Sequence, residues 1–293
     1  MIVSLTLGAL AALCWGIHDI CIRYISQKTG IFPAIFTVLT FGTIILAPVC
    51  LYFGNWENLT GFAIWHSSIS GALFTLACIG LYKAFAIGPV SLVAPIVGSY
   101  PIMSVGLAIW NGGSITLIQV MSVFGILLGI TIVAHGDNDN GTQNRKYAIV
   151  WAVSSAVGFF GSFAFGQAAA GLGAELPVIW LARIAGIVAL LLITVPLRLD
   201  ILPNLRQIPT LAVMGLLDAT ALAVVIYAGT QEFAVFATVT ASTFGLVTVV
   251  LAWAFLREKM TPKQWLGVTL VFIAIGLIGL SLIHISEPTR RIT

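Results

Sequence analysis

Residues 32–53 read Phe-Pro-Ala-Ile-Phe-Thr-Val-Leu-Thr-Phe-Gly-Thr-Ile-Ile-Leu-Ala-Pro-Val-Cys-Leu-Tyr-Phe, without one charged side chain. Roughly 20 apolar residues suffice for a helix to cross a hydrocarbon layer about 30 Å thick. The apolar residues form a continuous run and do not alternate with polar ones, so the stretch reads as a membrane-spanning helix and not as a strand of a β-barrel.

The rest of the chain has the same character. Of its 293 residues, 59% are apolar and 8% are charged, against about 25% charged in an ordinary soluble protein. Mean hydropathy is +1.08. No compact water-soluble fold of this length hides so much apolar surface behind so few charges. A soluble enzyme and a disordered chain are excluded. With 13 Lys+Arg against 10 Asp+Glu there is no phosphate-tracking surface either, so nucleic acid is not a partner. Apolar runs separated by polar or Gly/Pro punctuation fall at 2–25, 32–53, 62–86, 91–110, 116–135, 147–168, 176–197, 209–229, 235–256 and 264–283. Ten spans use about 200 residues. Twelve leave too little for loops, and seven demand long polar segments, whereas the longest polar run is Gly136–Lys146. The fold expected is an all-α integral membrane protein of ten transmembrane helices.

The basic residues orient it. Arg23, Lys28, Lys83, Arg145, Lys146, Arg198, Arg206, Arg257, Lys259 and Lys263 all fall at one set of alternate loops and span ends. Lys and Arg accumulate on the cytoplasmic side, so the loops after spans 1, 3, 5, 7 and 9 are expected inside and both termini outside, in a multi-pass protein of the plasma (inner) membrane. No basic n-region precedes the first apolar run, so no cleavable signal peptide is expected. Cys14, Cys21, Cys50 and Cys78 lie within spans and read as small buried residues. The end of the chain, Ser-Leu-Ile-His-Ile-Ser-Glu-Pro-Thr-Arg at 281–290, resembles a translated sequencing adapter. Residues 281–293 are set aside as a non-native tail.

The sequence also repeats. Gly71–Ala134 aligns with Gly215–Leu280 at an offset of about 144–147, bringing Gln119 near Gln264 and Tyr82 near Tyr227; Phe32-Pro33 falls on Leu176-Pro177. The division is 1–135 for the first five-helix repeat, 136–146 for a cytoplasmic linker and 147–283 for the second. An odd number of spans per repeat forces the second copy to enter the membrane upside down. This gives two inverted five-helix repeats, a plan common in transporters.

Three runs carry a family resemblance: Leu13-Cys14-Trp15-Gly16; residues 81–95, Leu-Tyr-Lys-Ala-Phe-Ala-Ile-Gly-Pro-Val-Ser-Leu-Val-Ala-Pro; and Phe255-Leu256-Arg257-Glu258-Lys259 followed by Gln264-Trp265-Leu266-Gly267-Val268. Their order and spacing resemble the ten-span EamA-like members of the drug/metabolite transporter superfamily, over the chain to about residue 282. The resemblance implies a five-plus-five bundle that moves small metabolites, often amino acids, outward. One departure is plain: Trp110-Asn111-Gly112-Gly113-Ser114 replaces the Gly-Glu expected after span 4. Only the second half keeps its acid, Glu258, which reads as a capping or loop-tying residue without a transport role.

An ionisable side chain at mid-membrane costs about 2.5–3.5 kcal/mol on insertion scales. The few present therefore point to a site. Trp15, His18, Asp19 and Arg23 share one face of span 1, and Asp19 and Arg23 are spaced to pair. Arg183 and Asp218 lie on sequential spans at similar depth, about 6 Å apart by helical rise at most. Paired, they can serve as structural glue; unpaired, Arg183 attracts a solute carboxylate and Asp218 an amine or proton. Span 4, with Pro95, Gly98, Tyr100 and Pro101, is expected to bend. The candidate substrate-binding set is Trp15, His18, Asp19, Tyr82, Tyr100, Arg183 and Asp218, with Trp15, Tyr82 and Tyr100 as apolar walls. Small residues four apart (Ser154, Gly158, Ser162, Gly166; Gly8, Ala12, Gly16; Gly125, Gly129) read as helix-packing stripes.

There is no phosphate-cradling Gly-Lys-Ser/Thr loop and no metal-ligand spacing, so no cofactor is called for. The partners implied are the lipid bilayer, a small-molecule solute and protons as a candidate coupling ion, in a monomer or a homodimer. A secondary transporter working by alternating access is the leading reading, with a membrane-embedded enzyme or a channel as the rival classes. The orientation is checked by a reporter fused at residue 140, which reads cytoplasmic; an external reading there contradicts the span count.

Overall fold

The computed structural model describes residues 2–26, 28–110, 112, 115–135, 142–171, 173–229, 237 and 240–286. Its long elements are helices: α1 (Ile2–Ile25), α2 (Ile31–Phe53), α3 (Gly61–Ile87), α4 (Val90–Gly98), α5 (Pro101–Trp110), α6 (Leu117–Ala134), α7 (Thr142–Ala170), α8 (Glu175–Thr194), α9 (Ile208–Gly229), α10 (Phe244–Phe255) and α11 (Pro262–Ser286). Among the described residues there is no strand. Nine apolar segments there are long enough to cross a bilayer, and α10 is a shorter apolar helix. The expected ninth span, 235–256, is described only in part, and residues 287–293 of the suspected tail lie outside the described residues. Side chains such as Leu117, Phe124 and Leu192 are exposed on the helices. That is the natural arrangement where the surrounding solvent is hydrocarbon.

The bend expected in span 4 is a two-residue interruption bridged by tighter turns, in which the Ser99 and Tyr100 N–H groups donate to the Ile96 and Val97 carbonyls. α4 ends at Gly98, the Ser99 hydroxyl donates to the Ile96 carbonyl (2.7 Å), and α5 restarts at Pro101. Proline has no N–H to offer a preceding turn, but it suits the first position of a helix.

The helices gather into two compact units. One comprises Met1–Ile20, Ile87–Ile149 and Thr220–Thr293; the other comprises Cys21–Ala86 and Val150–Ala219. Each unit draws helices from both halves of the sequence.

In the first unit α6 and α11 pack backbone to backbone. A Cβ on Gly129 would stand 2.6 Å from the Gly267 carbonyl, and one on Gly125 would stand 3.2 Å from Ala274. Residue numbers rise along α6 as they fall along α11, so the two run antiparallel. Both begin with the same capping box. The Thr116 N–H donates to Gln119 Oε1 (3.0 Å) while Gln119 N–H donates to Thr116 Oγ1 (3.3 Å); Thr261 and Gln264 repeat this at 2.9 and 3.3 Å. The two boxes are separated by the spacing of the sequence repeat. α1 lies parallel to α10, with Gly16 against Val247.

Glu258 does what its isolation suggested, and at long range. Arg257 takes a left-handed turn (φ 53°) after α10. The next side chain then accepts from the first amides of α4, Val90 N–H at 2.9 Å and Ser91 N–H at 3.3 Å. A carboxylate at a helix N-terminus satisfies orphan donors and meets the positive end of the dipole.

In the second unit α3 is the hub. A Cβ on Gly71 would lie 2.0 Å from the Ala182 carbonyl of α8, and Thr75 Oγ1 donates to the Gly186 carbonyl (2.8 Å). On its other side Gly158, Ser162 and Gly166 of the α7 stripe meet Ala77 and Ser70, and Ser70 Oγ donates to the Ser162 carbonyl (2.8 Å). Ser154, the fourth residue of the stripe, is exposed and bonds back to Val150.

Glu258→Ala lowers thermal stability by about 0.5–2 kcal/mol and leaves the transport rate of the surviving folded protein unchanged. Unfolding and transport measured on one preparation check this, and a loss of transport at unchanged stability contradicts it.

Candidate functional site

The second unit carries a charged pair built on a glycine crossing. α2 and α9 touch at Gly42 and Gly215, where a Cβ on Gly215 would stand 2.9 Å from the Val38 carbonyl and 3.1 Å from the Gly42 nitrogen. One turn further along α9, Asp218 faces Arg183 of α8. Arg183 Nη2 donates to Asp218 Oδ2 at 2.6 Å. The two residues are 6% and 9% exposed. Arg183 Nη1 lies against α2, and a Cβ on Gly42 would be 2.7 Å from it. Gly42 is therefore the residue that admits the guanidinium, and the sequence reading did not single it out. A guanidinium carries five N–H donors and stays charged. Arg183 Nε and Nη1 are buried without a hydrogen-bond acceptor among the described residues.

The first unit carries an acid–imidazole–hydroxyl group where α1 meets α10. His18 Nδ1 is 3.4 Å from Asp19 Oδ1. Thr248 Oγ1 lies 3.3 Å from Asp19 Oδ2 and donates to the Phe244 carbonyl at 2.9 Å. Trp15 meets Phe244 edge to face, with centroids 5.9 Å apart. His18 Nε2 is buried and has no hydrogen-bond partner among the described residues. The sequence is rich in hydroxyls just before α10, at Thr238, Thr240, Ser242 and Thr243. Thr238 lies outside the described residues, Thr243 Oγ1 bonds back to the Thr240 carbonyl (2.7 Å), and the hydroxyl that reaches Asp19 is Thr248. Its only signal was its place two turns beyond Thr240.

Of the expected set, Trp15, His18, Asp19 and Tyr100 belong to the first unit, and Tyr82, Arg183 and Asp218 to the second. Tyr82 is 1% exposed within α3, and Tyr100 occupies the break between α4 and α5. Arg23, read as a partner for Asp19, donates through Nη1 to the Phe85 carbonyl. Lys83, one of the basic residues at span ends, sets its ammonium 4.1 Å from the centre of the Trp151 ring. All four cysteines are free thiols, and no cluster of three or more His, Cys, Asp or Glu occurs among the described residues.

A family model matches residues 2–134 and 146–280, which together are nearly the whole chain. The chain belongs to the EamA-like transporter family. It is therefore a multi-pass membrane transporter of the drug/metabolite superfamily, and the two matched segments are two copies of the EamA unit. No curated protein matches it significantly in sequence. Among solved structures, one described only as "Crystal structure of protein" is similar in fold, with a TM-score of 0.63 over 97% of this chain and 99% of that one, at 15% identity.

Proposed function

We propose that the protein is a secondary active transporter that moves small metabolites, amino acids or related solutes, outward across the plasma membrane by alternating access of two inverted five-span halves. The single observation that carries the solute site is the buried Arg183–Asp218 pair, in which two guanidinium nitrogens find no acceptor among the described residues. A solute carboxylate supplies such an acceptor, and charge-assisted bonds to guanidinium are strong in a water-poor site. Asp19, with His18 and Thr248 beside it, is a second candidate contact, for an amine or for a coupling proton. Trp15, Tyr82 and Tyr100 serve as apolar walls.

Helix directions support ten alternating spans and the inversion. α6 and α11, the last helices of the two matched segments, run antiparallel from matching capping boxes. α2 and α8, the second helices of each, are antiparallel too, since Gly42 meets Arg183 whereas Gly54 meets Pro177. α1 and α10 are parallel, as first and ninth spans must be. The distribution of the basic residues supports an orientation with both termini outside.

Counterflow of radiolabelled amino acids in proteoliposomes tests this reading. The wild-type protein shows saturable counterflow. Asp19→Asn and Asp218→Asn each reduce it at least ten-fold with expression retained. Full activity in both variants removes the site assignment, and large unsaturated ion currents show a channel instead.

A further inference from the structure

Arg183 is not the end of the α2–α8 seam. Three residues toward the start of α8, Trp180 lies across the same seam and donates its indole N–H to the Thr43 carbonyl at 3.1 Å. Above it stands Trp56, from the short turn Trp56–Asn58 that follows α2. The two indoles meet edge to face, centroids 6.0 Å apart and planes at 85°. Trp56 Nε1 donates to the Cys50 carbonyl at 3.0 Å. The turn carrying Trp56 is clasped to the loop between α7 and α8 through one acceptor. Asn55 Nδ2 and Asn58 Nδ2 both donate to the Gly173 carbonyl, at 3.4 and 3.3 Å. Gly173 holds φ +85°, which glycine adopts without strain. Gly54 has to be glycine as well, since a Cβ there would stand 2.3 Å from the Cys50 carbonyl and 2.9 Å from Trp56 Nε1.

These contacts differ in kind from the glycine and serine crossings of this unit. Elsewhere in this unit, small residues bring helix backbones together. Here two large amphipathic rings meet edge to face on a seam that leads to a buried cation, and neutral hydrogen bonds at the helix ends fasten them. Each such bond adds little net stability, because water offers the same groups equivalent partners. An arrangement of that kind holds closed, yet opens without unfolding the helices around it. Neither connecting loop carries a lysine or arginine, so the closure lies at the Lys/Arg-poor face.

We propose that Trp56 and Trp180, clasped by Asn55 and Asn58, are the closure that shuts the Arg183 site from the Lys/Arg-poor face of the membrane. This rests on the reading of Arg183 as a solute contact. Opening swings Trp56 away from Cys50 and Trp180 and lets water and solute descend the seam; closing restores the indole bond and excludes them.

Cys50 reports the state of this closure. It is fully buried and lies directly under Trp56. In a variant with Cys14, Cys21 and Cys78 changed to alanine, a membrane-impermeant maleimide is applied to each face of sealed vesicles in turn. The Cys50 labelling rate is expected to rise at least ten-fold in Trp56→Ala, from the Lys/Arg-poor face alone. Trp56→Phe keeps the ring contact but loses the indole bond, and gives a smaller rise, as does Asn55→Ala with Asn58→Ala. An unchanged rate in these variants, or equal labelling from both faces, overturns the proposal. If Trp56→Ala fails to yield monodisperse protein, Trp56→Phe and the asparagine pair decide the matter. The two readings fail separately. Gated labelling together with normal transport by Asp218→Asn keeps the closure and removes the charged site. Ungated labelling together with a transport-dead Asp218→Asn does the reverse.

Discussion

A charge held in hydrocarbon has no water to turn to, so it must find its partners within the protein or change its protonation state. Arg183 does not have the second option, because a guanidinium stays protonated. Its place in α8 therefore dictates what surrounds it: Asp218 at 2.6 Å on α9, and Gly42 on α2, whose missing side chain leaves room for Nη1. The Gly42–Gly215 crossing follows from the same need. It brings α9 close enough for a short aspartate side chain to reach, and three helices are locked around one salt bridge. Replacing a buried pair of this kind with apolar side chains is often neutral or favourable for stability. Its presence in so apolar a chain is the physical reason for proposing that it has a role in transport.

The two charged groups sit in different compact units, and each unit is assembled differently. α6 and α11 join through glycines and matching threonine–glutamine caps, while α3 joins α7 and α8 through a run of small residues and hydroxyls. Without a hydrophobic driving force between helices in lipid, close backbone approach and interhelical hydrogen bonds supply the association. Glu258 adds a long-range tie, since a residue of the second EamA unit caps a helix of the first.

Much of this was legible in the sequence for identifiable reasons. Arg183 and Asp218 were conspicuous because any charge in an apolar run is rare, and helical rise alone set them at matching depth. The break in span 4 was visible from Pro95, Gly98 and Pro101, since proline and glycine act locally. Other features depend on distant residues and leave no local mark. Gly42 looks like any packing glycine until α8 is placed beside it. Thr248 looks like one more helical hydroxyl until Asp19 is placed against it. Nothing near Glu258 says that its partners are the amides of residues 90 and 91, and Trp56 and Trp180 meet only after three helices have packed. The grouping into units was hidden for the same reason, because each unit takes helices from both repeats.

The central claim is that the Arg183–Asp218 pair serves transport and does more than hold helices together. The most direct measurement is counterflow by the double variant Arg183→Gln with Asp218→Asn, which removes both charges and keeps two hydrogen-bonding side chains of similar size. The account predicts a folded, monodisperse protein with at least ten-fold less transport than wild type. A double variant that folds and transports at the wild-type rate contradicts it and leaves the pair a purely structural role.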